Sequence, residues 1–385
     1  MFEICVITTT RADFGLLTPL LNKILLSSSL KLRLIVSGTH LMNEYGNTIK
    51  EIENSGFSID EIIDWEMHGD SSNDISKAMS VIINKFSDYV KIKKPDLAVI
   101  LGDRFEMLAF AIVLVNANIP IAHINGGEKT EGALDECYRH CLTKMSSLHF
   151  PNCEIHKNRI IQMGEQPDRV FNVGDLCVEN IKSMKFLSLK ELRNQLDFKF
   201  EKGSTIVVTY HPVTTEGNSL YQLNELLKVI EKNQKFNYII TCSNADEGGK
   251  KINKRIRNFA VNKNNVRVFD SLGMKCFLSV LNNCSLIMGN SSSGIYEAPL
   301  FEIPTINIGN RQQGRLMPPS VINCDPTFTS ISKALNYVFS KKFKQTDLVA
   351  NFFGEGNASS EIVKYIELFL MEKRKQKKQF YDIFL

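Results

Sequence analysis

The hydrophobic and polar positions along the chain alternate between short apolar runs and longer amphipathic segments. Apolar runs of strand length occupy 3–9, 30–38, 96–102 and 119–125. Segments of helical length are predicted at 14–28, 75–95 and 105–118. Because the strand-length runs are continuously apolar, they predict a parallel sheet that is buried on both faces and connected by helices.

The same alternation begins again in the second half of the chain. It predicts strands at 204–212, 236–244, 265–270, 284–290 and 303–310, and helices near 220–233 and 248–261. The polar stretch 188–204 is predicted to be a linker that contains a short helix. The order predicts an α/β fold of two doubly wound, Rossmann-like domains that face each other across a cleft. We expect residues 1–180 to form the N-terminal domain, together with a returning C-terminal helix at 362–385, and residues 181–361 to form the C-terminal domain.

The composition is that of an ordinary globular protein and narrows the function mainly by exclusion. Hydrophobic residues make up 43% of the 385 positions, and a net charge of +4 is too small for the one-sided field that duplex DNA binding needs. The longest apolar run, "MLAFAIVLV", is too short to span a membrane, and the N-terminus lacks the basic flank of a signal peptide. We therefore expect a cytoplasmic protein with neither nucleic acid nor membrane as a partner.

Two further features of the composition bear on compartment and partners. Nine cysteines without a CxxC pair indicate a reducing compartment and no structural zinc. The basic run in "MEKRKQKKQFYDIF" is interpreted as the solvated face of a terminal helix. A tag for anionic membranes or nucleic acid is the alternative interpretation of that run.

Polar residues collect where the predicted strands end. In open α/β sheets, ligands bind outside the carboxyl ends of the strands, where helix N-termini offer unpaired N–H groups. The stretch "GNSSSGIYE" at 289–297 leads from a strand into a helix start, which favours an anion such as phosphate beside its small residues. Glu297 is expected within the first helical turn, where it either accepts hydrogen bonds from a ribose diol or acts as a capping acid.

Cationic side chains follow several of the same strands. Guanidinium groups suited to bidentate contact with phosphate are those of Arg11, Arg104, Arg311 and Arg315, with solvated surface arginines as the alternative. His211, in "YHPVTTE", is either a structural histidine or a phosphate donor and proton carrier. The chain has no GxxxxGK[ST] loop and no GxGxxG turn after its first strand, so ATP hydrolysis and tight NAD binding lack their usual signatures.

A cluster of acids follows the predicted strand at 119–125. The stretch "AHINGGEKTEGALDECYRH" contains the carboxylates of Glu128, Glu131, Asp135 and Glu136. They lie between His123 and His140, for which the structural interpretation is that they orient the acid loop. For Glu128, capping of the turn after the two glycines is the structural alternative to a chemical role.

Together these stretches resemble the UDP-N-acetylglucosamine 2-epimerases, in particular the hydrolysing branch that feeds sialic-acid-type sugar synthesis. The matching stretches, in family order from residue 8 to residue 315, are "TTTRADFG", "GDRFE", "HINGGEKTEGALDECYRH", "HPVTTE", "SNAD", "GNSSSGIYEAP" and "GNRQQGR". The resemblance implies a fold like that of the GT-B glycosyltransferases, with UDP held mainly by the C-terminal domain. It also implies a homodimer or homotetramer. The chemistry requires no redox cofactor, and the histidines lack a metal-ligand spacing.

The resemblance also implies roles for individual residues. The implied contacts are Ser291 and Ser292 for the diphosphate, Glu297 for the ribose, Arg11 and His211 for the phosphates, and Arg311 and Asn244 for the nucleotide pocket. The remaining candidates for UDP binding, at the same strand ends, are Asp13, Arg104 and Arg315.

The reaction that the resemblance implies needs at least two carboxyl groups. Removing the weakly acidic C2 proton of the sugar while UDP leaves C1 requires a base, and reprotonation on the other face requires an acid. Asp103 and Asp135 fall at two family acid positions. A third family position is often Glu but holds Asn125 here. A side-chain amide neither gains nor loses a proton at useful pH, so Asn125 cannot act as an acid or a base. Either Glu128 or Glu131 then completes the catalytic set, with His211 as a further candidate.

Three classes of function remain open at this point. The favoured one is conversion of UDP-N-acetylglucosamine to N-acetylmannosamine and UDP, for nonulosonic (sialic) acid synthesis. The alternative substrate is UDP-2,4-diacetamido-2,4,6-trideoxyglucose, for legionaminic acid synthesis. A GT-B glycosyltransferase is disfavoured by the acid-rich loop, because such transferases use basic residues near the diphosphate. A UDP-sugar-binding regulator without turnover stays open because Asn125 stands where an acid is expected.

Overall fold

The computed structural model describes residues 1–213, 217–243, 248–340, 343, 353–372 and 378–383. The chain forms two compact units. Unit 1 comprises Met1–Glu128, Asp135–Lys182 and Phe353–Leu385, and unit 2 comprises Lys129–Leu134 and Ser183–Phe352. Along the described part of the chain, no helix is long and apolar enough to cross a membrane.

Unit 1 is built on a parallel sheet in the order β3-β2-β1-β4-β5-β6. Its strands are β1 Phe2–Thr8, β2 Leu30–Ser37, β3 Ile59–Ile63, β4 Leu97–Leu101, β5 Ile121–Ile124 and β6 Leu148–Phe150. Its helices are α1 Arg11–Leu26, α2 Ile49–Asn54, α3 Ser72–Ile92, α4 Phe105–Asn116, α5 Asp135–Met145, α6 Glu154–Gln162, α7 Leu176–Ser183 and, after unit 2, α14 Ala358–Met371. Strands β1 and β4 are buried along most of their length, which explains their continuously apolar sequences.

Unit 2 repeats the same winding, with a parallel sheet in the order β12-β11-β10-β7-β8-β9. Its strands are β7 Thr205–Thr209, β8 Asn237–Thr241, β9 Val266–Phe269, β10 Leu286–Gly289, β11 Thr305–Ile308 and β12 Val321–Cys324. Its helices are α8 Leu189–Leu196, α9 Ser219–Lys232, α10 Gly249–Ala260, α11 Met274–Leu281, α12 Ser293–Tyr296 and α13 Phe328–Val338. Both strand orders are those of a doubly wound sheet, so the predicted α/β fold class is confirmed.

Three strands were missed by the hydrophobic pattern, and each has a physical reason. Strands β3 and β12 lie at sheet edges and are only partly buried, so polar residues interrupt their apolar pattern. Strand β6 is fully buried but only three residues long, which is below the length that a pattern can register.

The short helix predicted within 188–204 is confirmed, but the interpretation of that stretch as a linker is wrong. It begins with α8, whose start is fixed by a capping box in which Ser188 and Glu191 exchange hydrogen bonds. The apolar side chains of Leu192, Leu196 and Phe200 are buried, so the segment is part of the packed structure of unit 2. The polar residues that favoured a linker form the exposed face of the helix.

The C-terminal helix ends earlier than expected. Helix α14 spans Ala358–Met371 rather than 362–385, and its buried residues, including Ile362 and Ile366, belong to the core of unit 1. The basic run that follows falls partly at 373–377, outside the described residues. Lys378 within that run does not lie on a helix, so the interpretation of the run as a helix face is wrong at that position.

The segment 378–383 instead packs on unit 1. The Lys378 ammonium lies 2.7 Å from Glu165 Oε2, and Lys144 Nζ lies 2.5 Å from Glu165 Oε1. The ring of Phe380 covers the Lys144 ammonium at 4.8 Å, and a Cβ at Gly164 would lie 2.3 Å from that ring. The glycine therefore makes room for the C-terminal segment, and the buried Glu165 carboxylate anchors it.

Stability is expected to depend on pH through Glu165. Burial alone would raise the pKa of Glu165, but hydrogen bonds from His149, Lys144 and Lys378 hold it at about 2, below the ordinary value of 4.5. The ionised carboxylate therefore stabilises the fold above about pH 4.5 and loses that contribution as the pH falls towards about 2. We expect Glu165→Gln to destabilise the protein by about 2 kcal/mol at pH 7.

Thermal melts of Glu165→Gln and wild type across pH 7 to 3 check this prediction. The difference between the two proteins should shrink below about pH 4.5. Glu154→Gln is the matched control, because its side chain is 59% exposed and its pairing with Lys157 is solvent-screened. A difference for Glu165→Gln that stays constant over this pH range would contradict the account.

Candidate active site

Residues 125–128, which begin the acid loop, and the loop that carries Asp103 lie at the same edge of the unit 1 sheet. Strands β4 and β5 are parallel neighbours, so the residues after Leu101 and after Ile124 emerge side by side. The imidazole of His123 is within 2.7 Å of the Gly102 carbonyl and ties the two strand ends together. Burial lowers the pKa of His123 to about 4, so the ring is neutral and its role is structural.

Arg139 joins Asp103 to the acids of α5. Its guanidinium is 1% exposed; one of its nitrogens contacts Asp103 Oδ2, and Nη1 donates to Glu136 Oε2 at 3.2 Å. Glu136 also contacts His140 Nε2 at 2.9 Å. Asp135 is the first residue of α5 and precedes Arg139 by one helical turn. The structure thus brings Asp103 and Glu136 to one buried cation, on the helix that begins with Asp135, and sequence reasoning did not single out this cation.

The two glycines before Glu128 allow the acid loop to pack closely on α6. A Cβ at Gly127 would lie 2.4 Å from the His156 carbonyl oxygen, and the φ of Gly127 is +79°. A Cβ at Gly126 would lie 2.9 Å from His123 Nδ1. The guanidinium of Arg159 donates to the Gly127 carbonyl from α6. Both positions therefore require glycine, because a side chain would clash there. The resulting turn brings Glu128 into a buried position.

The structure separates Glu128 from Glu131. Glu128 is 4% exposed in unit 1, where its Oε1 accepts a hydrogen bond from Asn152 Nδ2 at 3.2 Å. The side chain of Glu131 is 40% exposed and pairs with Lys129 in unit 2. The Glu131 N–H donates to the Gln313 carbonyl at 2.9 Å, which docks the 129–134 segment on the "GNRQQGR" loop. Only Glu128 belongs to the same unit as Asp103 and Asp135.

Arg104 and Glu106 form a close pair at the start of α4. Arg104 Nε lies 3.1 Å from both carboxylate oxygens of Glu106, whose side chain is fully buried. The guanidinium also lies 5.4 Å from the centre of the Phe105 ring. Arg104 therefore has a carboxylate partner of its own, which competes with any phosphate for its donors.

The loop after β1 is organised by Asp13. This buried carboxylate accepts hydrogen bonds from the backbone N–H groups of Thr9 at 3.1 Å and Thr10 at 2.9 Å, and the Thr10 hydroxyl caps α1 in return. The capping box starts α1 at Arg11, three residues before the predicted start. Arg11 Nη2 contacts Glu51 Oε1 at 2.7 Å. Asp13 thus shapes the loop that presents Arg11.

In unit 2, Asn290 connects three of the segments that carry the proposed UDP contacts. Its Oδ1 accepts the His211 N–H at 2.7 Å, and its Nδ2 donates to the His211 carbonyl at 2.9 Å. Its own carbonyl accepts from Arg311 Nη1 at 3.2 Å and from Gln312 Nε2 at 2.7 Å. Asn290 is completely buried, so this arrangement fixes His211, the "GNRQQGR" loop and the serine loop, residues 291–293, relative to one another. Its position directly after β10 was the only sequence signal for this role.

The serine loop differs from the sequence prediction in one respect. Helix α12 is only four residues long, Ser293–Tyr296, so Glu297 follows its last turn instead of lying in its first. A 3-10 helix, Ala298–Phe301, continues the chain and ends α12 early because Pro299 cannot donate an N–H. The preceding Gly289 has a φ of +140°, and a Cβ there would lie 2.0 Å from the Thr209 carbonyl oxygen. The turn from β10 into the serines therefore requires glycine.

The remaining predicted residues are placed as follows. His211 is 7% exposed, and Arg315 Nη1 donates to the Tyr296 hydroxyl at 3.0 Å. A cavity of about 670 Å³ in unit 2 is lined by residues that include Asn310, Gln313 and Arg315. Asn244 lies outside the described residues, as do residues 214–216 of the "HPVTTE" stretch. Among the residues that the structure describes, no three His, Cys, Asp or Glu side chains are grouped as a metal site would require.

Comparison with known proteins gives matches along nearly the whole chain. A family model described as UDP-N-acetylglucosamine 2-epimerase matches residues 23–367. A Campylobacter jejuni protein named GDP/UDP-N,N'-diacetylbacillosamine 2-epimerase (hydrolyzing) is 41% identical over 345 residues, which cover 89% of each chain. The polysialic acid biosynthesis protein P7 of Escherichia coli is 36% identical and covers 100% of this chain and 98% of its own.

The fold has a counterpart among solved structures. The crystal structure of UDP-GlcNAc 2-epimerase from Neisseria meningitidis bound to UDP-GlcNAc matches with a TM-score of 0.80, over 95% of this chain and 100% of the other. The sequence identity is 18%, so this likeness concerns the fold alone.

Proposed function

Because the chain belongs to the UDP-N-acetylglucosamine 2-epimerase family, we propose that it is a hydrolysing 2-epimerase of a UDP-2-acetamido sugar. The observation that carries this proposal is the buried Arg139, which contacts Asp103 and Glu136 and lies on the helix that begins with Asp135. Reversing the configuration at C2 needs proton transfer on both faces of the sugar, and carboxyl groups are suited to both steps.

The reaction proceeds in two balanced steps. In the first, a carboxylate takes the C2 proton, the electrons of the C–H bond form the C1–C2 double bond, and the C1–O bond breaks to release UDP. In the second, water adds to the resulting glycal: its hydroxyl joins C1, a carboxylic acid delivers a proton to the opposite face of C2, and the proton that water loses passes to a carboxylate. The products are UDP and the free 2-epimer, and the net consumption is one water.

We assign the proton transfers to carboxyl groups of unit 1. Asp103 and Asp135 are the base and acid pair, because Arg139 holds the Asp103 loop against the helix that begins with Asp135. Glu128, not Glu131, is the third carboxyl group, since it is buried in the same unit and held by Asn152. The Arg139 charge compensates the negative charge that this concentration of acids builds up.

We assign most of the UDP contacts to the segments that Asn290 connects. Ser291 and Ser292 bind the diphosphate, and Glu297 binds the ribose; the support is that Gly289 and Asn290 fix the position of the serine loop. Further proposed contacts are those of Arg11, His211, Asn244, Arg311 and Arg315. Asp13 and Arg104 act indirectly in this proposal, by shaping the β1 loop and by pairing with Glu106.

Two substrates are candidates, and each has a specific observation in its favour. The relative from Campylobacter jejuni, 41% identical, is named for N,N'-diacetylbacillosamine, a 2,4-diacetamido sugar. The relative from Escherichia coli, 36% identical, is named for polysialic acid biosynthesis, which favours a substrate on the way to a sialic acid. We place the UDP-linked 2,4-diacetamido sugar first, because the higher identity favours it, and UDP-N-acetylglucosamine second.

Turnover of both sugars by the same enzyme preparation tests this order. UDP release is followed by anion-exchange chromatography, and the free sugar is identified by its anomeric NMR signals. We expect kcat/KM for the diacetamido sugar to exceed that for UDP-N-acetylglucosamine at least tenfold, since a site built for a second amide leaves polar groups unpaired with a 4-hydroxyl. The GDP form of the diacetamido sugar is run alongside. The reverse preference would make UDP-N-acetylglucosamine the substrate.

A further inference from the structure

Asp175 is a buried carboxylate beside the proposed acids that the reaction scheme leaves without a role. It is 4% exposed and precedes α7. Its Oδ2 accepts hydrogen bonds from Asn152 Nδ2 at 2.8 Å and Asn125 Nδ2 at 3.4 Å, and its Oδ1 accepts the Cys177 N–H at 2.8 Å. A carboxylate buried to this degree costs free energy unless such donors compensate it.

Asn152 links Asp175 to Glu128. The same Nδ2 group donates to Asp175 Oδ2 at 2.8 Å and to Glu128 Oε1 at 3.2 Å. Asn152 Oδ1 lies 2.7 Å from His156 Nδ1, which donates to it. Asn152 is 1% exposed and His156 is 2% exposed, so water does not compete for these bonds. The amide is thereby fixed with its oxygen towards the imidazole and its nitrogen between the two carboxylates.

The backbone at Asn125 explains how this arrangement fits the strand end. The φ of Asn125 is +62°, a conformation that asparagine adopts far more readily than glutamate. Its side chain supplies a donor, and the negative charge beside it comes from Asp175. Asn125 carries no carboxylate, but its hydrogen bond to Asp175 places the Asp175 carboxylate at the end of β5.

We propose that Asp175 is a positioning residue for catalysis, which holds Glu128 in its reactive orientation through Asn152. The inference rests on the proposed function, in which Glu128 is one of the reacting carboxyl groups. Glu128 follows a double-glycine turn, and its carboxylate accepts a hydrogen bond from the buried Asn152 amide. Asp175 and His156 determine where that amide points, and therefore where the Glu128 carboxylate is held.

A purely structural role of Asp175 makes a different prediction. Its Oδ1 caps the first turn of α7, and loss of that bond would destabilise the helix without any specific link to Glu128. Asp175→Asn keeps an oxygen for the Cys177 N–H but places an N–H₂ group against Asn152 and Asn125. The substitution therefore preserves the cap and disrupts the link to Glu128.

The test is a double-mutant cycle on the full chain with Asp175→Asn, Glu128→Gln and the combination, using the UDP-sugar that wild type converts fastest. We expect Asp175→Asn to lower kcat by about 10- to 100-fold with KM, the Kd for UDP and Tm little changed, because a small misplacement of a reacting group has that effect. Glu128→Gln should lower kcat by about 10²- to 10⁴-fold. The combination should stay within about threefold of Glu128→Gln alone, since both changes disable the same carboxyl group.

Each other outcome has a defined meaning. Wild-type kcat in Asp175→Asn, or losses that multiply in the double variant, would overturn the positioning role alone. Full activity of Glu128→Gln would remove Glu128 from the proposed reaction. If wild type converts none of the UDP-sugars, the proposed function itself fails.

A second pair of variants keeps the test decisive if Asp175→Asn does not fold. Asn152→Ser is too short to reach both carboxylates, so it should lower kcat and again show no added effect in Glu128→Gln. The matched control is Asn180→Ser: Asn180 is another buried asparagine of unit 1, but its amide donates to the Gly15 carbonyl at 3.0 Å. The control should retain kcat. Equal kcat in Asn152→Ser and Asn180→Ser would overturn the proposal.

Discussion

Replacing Asp103 with asparagine is expected to abolish turnover and to leave UDP binding largely intact. Asparagine matches aspartate in size and still accepts a hydrogen bond from Arg139, but it cannot take up a proton. General acid and base groups contribute about 10²- to 10⁴-fold, so we expect kcat to fall by about 10³-fold or more. UDP release measured by chromatography gives kcat, and titration calorimetry with UDP gives the affinity.

Asp168→Asn is the matched control for this prediction. Asp168 is an exposed aspartate of unit 1, so the same substitution should leave both kcat and the affinity for UDP unchanged. Near-normal activity of Asp103→Asn would remove Asp103 from the mechanism. A Tm well below that of wild type would instead trace the loss to folding.

Removing the Arg139 guanidinium is expected to cost both stability and activity. The Arg139 side chain is 1% exposed and contacts both Asp103 and Glu136. Arg139→Met therefore removes the cation that these two carboxylates share. Breaking a buried ion pair from one side costs about 3–5 kcal/mol, because the remaining charge stays poorly compensated. For units of this size that corresponds to a loss of roughly 6–20 °C in Tm. Turnover should fall as well, because Asp103 loses its orientation.

Arg33 offers a control with the same arrangement at another place in unit 1. It lies on β2, contacts Glu3 and lies 3.1 Å from Asp60, and its side chain is 13% exposed. Arg33→Met should therefore reduce Tm but retain kcat. Thermal melts and UDP-release assays on both variants separate the two effects. Equal loss of activity in both variants would mean that Arg139 acts only through stability.

The fold followed from the sequence because its signal is local. Continuous apolar runs such as Leu97–Leu101 are determined by burial on both faces of a parallel sheet, and that burial shows in the residues themselves. Edge strands such as Ile59–Ile63 carry only part of this signal. The length of α12 was beyond prediction for a related reason: it is set by the 3-10 turn that follows Glu297.

The candidate site was only partly predictable because its key contacts join distant parts of the chain. Arg139 contacts Asp103 across 36 positions, and Asn152 reaches Glu128 across 24. No spacing rule connects such pairs, so Arg139, Asn152 and Asp175 did not stand out. Glu128 and Glu131 looked equivalent in the sequence, yet the chain passes from unit 1 to unit 2 between them. The sequence pattern predicted which acids lie at strand ends, but it could not predict which side chains contact them.

The most direct test of the central claim is proton NMR of the full chain with its UDP-sugar in deuterated water. The account predicts that UDP and the free 2-epimer appear together and that the released sugar carries deuterium at C2, because the proton removed in the elimination is replaced from solvent. Release of sugar that keeps its original C2 proton and configuration would contradict epimerisation and indicate simple hydrolysis. An unchanged spectrum with both the diacetamido and the N-acetylglucosamine substrates would contradict catalysis and favour a protein that only binds UDP-sugars.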